Sequence, residues 1–223
     1  MLQLEGVRVN IREFVILRGV SLEVPSGRIV GLVGRNGAGK TTTLKSIMGL
    51  VPVRSGAIRL DGEDLVRTPA YTRARHGIGY VPEDRRLIGT LTVEENILLP
   101  AWAARLNGHG ERLDLVYRLM PEVKELAERR AAQLSGGQQK MVALARSLIS
   151  GTKLLLLDEP FEGLAPALSQ KLGGVIRTLQ GEGLAVLIAE SDLKLVSPLT
   201  HTIYTIERGE ILREPPPGLE GEF

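Results

Sequence analysis

Residues Gly34-Arg35-Asn36-Gly37-Ala38-Gly39-Lys40-Thr41 fit the phosphate-loop pattern G-x-x-x-x-G-K-[ST], and no other stretch restricts the possible folds as tightly. The pattern needs a strand before it and a helix after it. Arg28 to Val33 is a short apolar run of β type, and Thr41 to Met48 can continue as a helix. Glycines let the backbone bend so that successive N–H groups face a polyphosphate beside the positive end of that helix. Lys40 then reaches the β- and γ-phosphates, Thr41 sets its hydroxyl on Mg²⁺, and Thr42 supports the first helical turn or the α-phosphate. Four fixed positions match by chance in roughly one chain per hundred of this length. The flanking strand and helix are what separate the stretch from an ordinary glycine-rich turn with a surface lysine.

At 223 residues the chain is long enough to bury one substantial core, with room for an inserted lobe. Its 28 basic and 26 acidic residues leave a formal charge of only +2, which gives no reason to expect a nucleic acid as partner. No run reaches the roughly 18 apolar residues of a spanning helix, and the start Met1-Leu-Gln-Leu-Glu5 lacks the pattern of a secretion signal. A protein soluble on its own is expected. The absence of cysteine excludes disulfides and thiolate metal sites and fits the cytosol.

Alternation of apolar and polar residues predicts short antiparallel strands at Leu2 to Val9, Phe14 to Leu17 and Ser21 to Val24, ending at the turn Pro25-Ser26-Gly27. Ala57 to Leu60 and Gly77 to Val81 read as further strands. Thr92-Val-Glu-Glu95 has the form of a helix-capping box. Its helix continues through Trp102, breaks at Asn107 to Gly110 and resumes as two segments, the second opening at Pro121. Residues 88–134 are thus expected to form a helical lobe inserted into an α/β core. The core resumes with a helix after Ser135, a strand from Lys153 to Leu157, a helix from Pro166, a strand from Leu184 to Ala189 and a β-rich segment over 201–213. Strands alternating with helices imply a largely parallel sheet with ligand at its carboxyl ends. The tail 213–223 lacks periodicity and is expected to be disordered, leaving one domain over 1–212.

Two further groups of residues narrow the chemistry. Leu134-Ser135-Gly136-Gly137-Gln138 opens an Ala/Leu-rich helix, and a serine cap followed by two glycines makes a second, outward-facing anion site. A plain cap would explain any S-G-G alone, but the five residues together arise by chance in fewer than about one chain per thousand. The second group is Asp158-Glu159-Pro160, at the end of the apolar run Leu154–Leu157. Adjacent carboxylates at a strand end point to opposite sides of the backbone. Asp158 can hold Mg²⁺ through water while Glu159 faces an attacking water.

These three groups, in this order, closely resemble the ATP-binding subunit of ABC transporters over nearly all of residues 1–212. The resemblance makes Gly34–Thr41 the Walker A loop, Leu134–Gln138 the signature motif, Leu154–Glu159 the Walker B strand with the catalytic glutamate, and Gly163-Leu-Ala165 part of the D-loop. It implies a P-loop ABC ATPase fold with an N-terminal antiparallel β subdomain, MgATP as ligand, permease subunits as membrane partners, and a location on the cytoplasmic face of the membrane. It also implies a homo- or heterodimer in which each ATP lies between one chain's Walker A loop and Ser135 to Gln138 of the other. Tyr80-Val-Pro-Glu-Asp-Arg-Arg86, Leu91-Thr-Val-Glu-Glu-Asn96 and Gly163-Leu-Ala-Pro166 look most like the ATPases of branched-chain amino acid importers.

The chain departs from the family pattern at three places. Glu83 occupies the Q-loop position, where it can ligate the metal but adds negative charge near the triphosphate. Ser191 stands where a switch histidine is expected; it is a catalytic position by resemblance and equally an N-cap of the following helix. The adenine-stacking tyrosine aligns with Ile11, and Phe14, the nearest aromatic, reads as a core residue. Ser191 and Glu83 keep open a nucleotide-binding partner subunit that does not hydrolyse; an ABC ATPase not linked to transport is a further alternative, and the single short cassette and near-neutral charge count against it.

Overall fold

The computed structural model describes residues 1–212; the tail 213–223 lies outside the described residues. The amino-terminal alternation is broken once, because three steps rather than two separate Leu4 from Val7. The chain absorbs the extra residue as a bulge in β1 (Leu2–Ile11), where Gly6 takes φ +58° and donates its N–H to Ser21 Oγ at 2.9 Å. Leu2, Leu4, Val7 and Val9 therefore all stay buried. Its partner β2 (Phe14–Val24) runs through Gly19 without interruption, so the two short strands expected there are one. With β4 (Ser55–Leu60) and β5 (Glu63–Asp64) they form an antiparallel sheet in the order β2-β1-β4-β5.

The second sheet has six strands in the order β10-β9-β3-β8-β7-β6. Its members are β3 (Ile29–Val33), β6 (Ile78–Val81), β7 (Leu154–Asp158), β8 (Ala185–Glu190), β9 (Thr202–Glu207) and β10 (Glu210–Leu212). All neighbours pair parallel except β10, which is antiparallel to β9. β3, β7 and β8 are buried on both faces, which is why they read as unbroken apolar runs. Val30, Leu32, Leu154, Leu156 and Leu187 pack on one side with the antiparallel sheet and α1 (Lys40–Ile47). Val33, Leu155, Leu157, Val186 and Ile188 pack on the other with α5 (Gly136–Ser150) and α6 (Pro166–Gly181).

Between β6 and α5 the chain forms α2 (Val93–Ala104), α3 (His109–Leu119) and α4 (Pro121–Lys124). Thr92 caps α2 through the expected box, accepting from Glu95 N at 3.1 Å while Glu95 Oε2 accepts from Thr92 N at 2.8 Å. α3 already starts at His109, inside the expected break, with Gly108 in the left-handed region before it. The short α7 (Leu193–Val196) follows β8. Register places the ends of β3, β8 and β7 side by side, with Val33 opposite Glu190 and Asp158 opposite Ala189. The chain segments leaving those strands carry the chemistry.

Candidate functional site

The phosphate loop leaves β3 and enters α1 with the conformation its glycines allow. A side chain at Gly34 would meet Ile206 O at 2.3 Å, and Gly39 holds φ +116° as the residue before α1. Ala38 is buried, with its N–H on Arg35 O at 3.0 Å, while Arg35, Asn36 and Gly37 are exposed. Lys40, only 5% exposed, turns its ammonium back into the loop: Nζ donates to Gly34 O at 2.7 Å and lies 3.4 Å from Arg35 O. It also pairs with Glu159 Oε1 at 3.0 Å.

Glu159 is the centre of a polar cluster. It has φ +48°, an unfavourable value for a residue with a Cβ, and its N–H is held by Ala189 O at 2.9 Å. Ser191 donates from its main chain to Oε2 at 3.1 Å and lies 2.6 Å through Oγ from Oε1. The same Oγ accepts from Lys40 Nζ at 3.0 Å and lies 2.9 Å from Asn36 Oδ1. One hydroxyl has one proton, so Ser191 can donate to Glu159 or to Asn36 but not to both. The cap alternative for Ser191 is corrected here: α7 is capped by Asp192, whose carboxylate accepts from Lys194 N at 2.9 Å.

Burial would raise the Glu159 carboxyl, but hydrogen bonds from Glu190, Ser191 and Lys40 outweigh it and hold the group below its ordinary value. Glu190, 1% exposed, is pushed up to about 8 by burial and by that same hydrogen bond. Asp158 faces the other way, accepting from Thr41 Oγ1 at 3.0 Å and from Tyr80 Oη at 3.3 Å. Burial pushes it up to about 6 against the Thr41 bond, and the charge of Glu83 adds to the rise.

A cavity of about 470 Å³ lies over the loop, lined by Ile16, Gly37, Gly39, Lys40, Thr41, Thr42, Glu83 and Glu159 among others. That volume is within the range of small-molecule sites. Thr41 and Asp158 present hard oxygens, and Glu83 borders the same space; among the described residues no cluster of three or more His, Cys, Asp or Glu could hold a metal by itself. The donors fit Mg²⁺, which keeps waters and takes phosphate oxygens for the rest of its shell. Ser135, Gly136, Gly137 and Gln138 do not line this cavity. Ser135 Oγ accepts from Gln138 N at 3.3 Å and Gln138 Oε1 from Ser135 N at 2.9 Å, at the start of α5.

The reading of Phe14 as core is corrected: it is 72% exposed at the β1–β2 hairpin, and Ile11 is 43% exposed. Ile16 was missed, because beside the buried Leu17 an apolar strand residue reads only as packing. Lys140 was also missed; it is buried on α5 and donates from Nζ to Glu159 O at 3.0 Å and to Glu162 O, pinning the turn after β7.

Residues 17–162 match the family model described as ABC transporter. The chain is 41% identical over 212 residues to the high-affinity branched-chain amino acid transport ATP-binding protein BraG of Pseudomonas aeruginosa, covering 95% of this chain and 91% of that protein. It is 35% identical to the lipopolysaccharide export system ATP-binding protein LptB of Escherichia coli, covering 88% and 83%. Among solved structures, the dimeric structure of MJ0796, a bacterial ABC transporter cassette, superposes with a TM-score of 0.87 at 27% identity, over 100% of both chains. With this motif order on this fold, the chain belongs to the ABC transporter family as an ATP-binding subunit, whose characteristic activity is ATP hydrolysis.

Proposed function

We propose that the chain binds MgATP in the 470 Å³ cavity and hydrolyses it to drive an importer of branched-chain amino acids. The observation that carries the reading is the meeting of Lys40, Thr41, Asp158 and Glu159 at the carboxyl ends of β3 and β7. Lys40 neutralises phosphate charge once it turns from Glu159. Thr41 and Asp158 hold Mg²⁺, which supplies charge stabilisation at the phosphates, with Glu83 beside them. Glu159 orients the attacking water and takes its proton, while Ser191 positions Glu159 and the phosphate-loop lysine. Most of the barrier is lowered by placement and electrostatics. The main-chain N–H groups of Gly34 to Thr42 cradle the phosphates, and Ile16 offers the base an apolar contact in place of the aromatic absent at Ile11.

Ser135, Gly136, Gly137 and Gln138 sit outside the cavity, which supports a head-to-tail dimer in which they reach the γ-phosphate of a partner subunit. Beside the phosphate cavity, a groove of about 650 Å³ is lined by Tyr71, Glu83, Asp84, Arg86, Leu99, Pro100 and Ala103. We assign it to the permease, which holds the subunit at the cytoplasmic face of the membrane; among the described residues no helix is long and apolar enough to cross one. Crosslinks from the permease should map to Glu83–Arg86 and α2, and crosslinks to 201–212 instead would contradict the assignment. The greater identity to BraG than to LptB supports import of branched-chain amino acids. The test is uptake of leucine, isoleucine and valine by the purified complex in vesicles; ATP turnover stimulated by a lipopolysaccharide but by no amino acid refutes it. A second reading, a subunit that hydrolyses slowly, is favoured by Ser191, because a hydroxyl carries no positive charge to the γ-phosphate.

A further inference from the structure

Lys40 and the Ser191 hydroxyl hold the Glu159 carboxyl through contacts that a bound nucleotide contests. Lys40 turns to phosphate oxygens, and the single Ser191 proton has Asn36 and any nearby phosphate as competing acceptors. The main chain of Glu159 has a separate restraint in Lys140. This lysine, 7% exposed, lies one turn into α5, four residues after Gly136 and therefore on the same face of the helix. Its Nζ donates to Glu159 O at 3.0 Å and to Glu162 O. It is not among the residues lining the phosphate cavity, so a nucleotide seated there makes no direct claim on it. One buried ammonium thus ties the turn after β7 to the helix that opens with Ser135 to Gln138.

We propose that Lys140 is a positioning residue for the reaction: it fixes the turn from Glu159 to Glu162 against the first turn of α5, and so keeps the Glu159 carboxylate aimed after Lys40 has moved to the nucleotide. The inference rests on Glu159 being the base. The Glu159 N–H is held by Ala189 O at 2.9 Å, but within the turn the bond from Glu162 N to Glu159 O is long at 3.4 Å, and Glu159 itself sits at φ +48°. Glu159 O and Glu162 O converge instead on the Lys140 ammonium, and a charged donor makes a hydrogen bond roughly twice as strong as a neutral one. Removing that donor orphans two carbonyls and lets the strained residue relax, which swings its side chain. Packing closes the same unit: a Cβ at Gly137 would meet Leu168 at 2.6 Å, so the start of α5 also rests on α6, into which the turn leads. A charge buried against carbonyls rather than a carboxylate adds little net stability, because desolvation consumes much of what its hydrogen bonds return. Its effect is on where the turn sits.

The experiment uses the full chain with Lys140→Met and Lys140→Arg. Methionine keeps most of the bulk of the stem and has no donor; arginine keeps the charge and can donate to both carbonyls. Steady-state phosphate release is measured against ATP concentration, and MgADP affinity by calorimetry. Methionine should lower kcat roughly tenfold to hundredfold, the worth of one charged-group hydrogen bond, with KM and MgADP affinity within about threefold. Arginine should recover most of that loss. A methionine variant with wild-type kcat, an arginine variant as slow as methionine, or equal loss of kcat and MgADP affinity would overturn the proposal. If the methionine variant does not fold, Lys140→Gln decides, since its neutral donor is one bond shorter: kcat should fall with MgADP affinity kept, and wild-type kcat refutes the role. Glu159→Gln separates the two failures. Retained single-turnover cleavage there removes the base assignment, whereas its loss together with an unaffected Lys140→Met removes only the role of Lys140.

Discussion

Lys40 cannot serve Glu159 and a phosphate at once, so replacing Glu159 by Gln should tighten nucleotide binding while it stops turnover. The Nζ–Oε1 separation is 3.0 Å between side chains only 5% and 9% exposed. At an effective dielectric of 20 that pair attracts by about 5–6 kcal/mol before desolvation is charged against it. Desolvation of two buried ions returns a large part, and the amide of Gln still accepts a hydrogen bond from the ammonium, worth about 1.5–3 kcal/mol. The remainder, about 2 kcal/mol, is what a phosphate no longer has to displace, and it corresponds to a roughly thirtyfold gain in affinity. MgADP is the suitable ligand because it engages Lys40 without drawing two chains together through a γ-phosphate. Calorimetry on the wild type and Glu159→Gln measures the difference directly. Equal or weaker MgADP binding by the variant would refute the competition for Lys40. In the same protein, single-turnover ATP cleavage should fall at least about a hundredfold, since an amide cannot accept the proton of water; unchanged cleavage would sink the base role.

Lys40→Ala removes the charge that meets the phosphates and should weaken MgADP binding by at least about tenfold, and wild-type affinity by calorimetry would contradict the cradle. Ser191→His should raise steady-state phosphate release by the isolated chain, because an imidazole can bridge Glu159 and the γ-phosphate. A second ATPase subunit that carries the histidine should raise activity beyond the sum of the two proteins, and strictly additive rates with no effect of the substitution would show Ser191 to be a passive neighbour. Asp158 predicts a pH dependence of stability. Its carboxyl is raised from 3.8 to about 6 in the fold, so the native state binds more protons than the unfolded chain between those values and stability falls as pH rises through that window. The effect is at most about 3 kcal/mol. Urea unfolding from pH 4 to 7 without metal should therefore be flatter for Asp158→Asn than for the wild type, and an equal slope would exclude Asp158 as its source.

Much of this protein was legible along the chain because the features concerned are local. The phosphate loop needs its glycines within eight residues, the capping boxes at Thr92 and Ser135 span four residues each, and β3, β7 and β8 announce themselves as apolar runs because both their faces are covered. The bulge at Gly6 is visible as a break in alternation. Sequence order alone also named Lys40, Thr41, Asp158 and Glu159 as one chemical group, since each stands at the carboxyl end of a strand or in the loop just after it. The assembled sheet decided the rest. Ser191 reads as a cap or as part of the site with equal ease, and the choice depends on β8 lying between β3 and β7, which brings it within 2.6 Å of a carboxylate 32 residues away. Glu190 looks like one more surface acid until the same strand order buries it against Glu159 and raises its affinity for a proton. Phe14 looks like core and is exposed, at the end of the β1–β2 hairpin where it pairs with Ile11. Side-chain type and spacing determine which strands and turns form; the dielectric around a carboxyl, and therefore how readily it keeps a proton, is set by what folds over it.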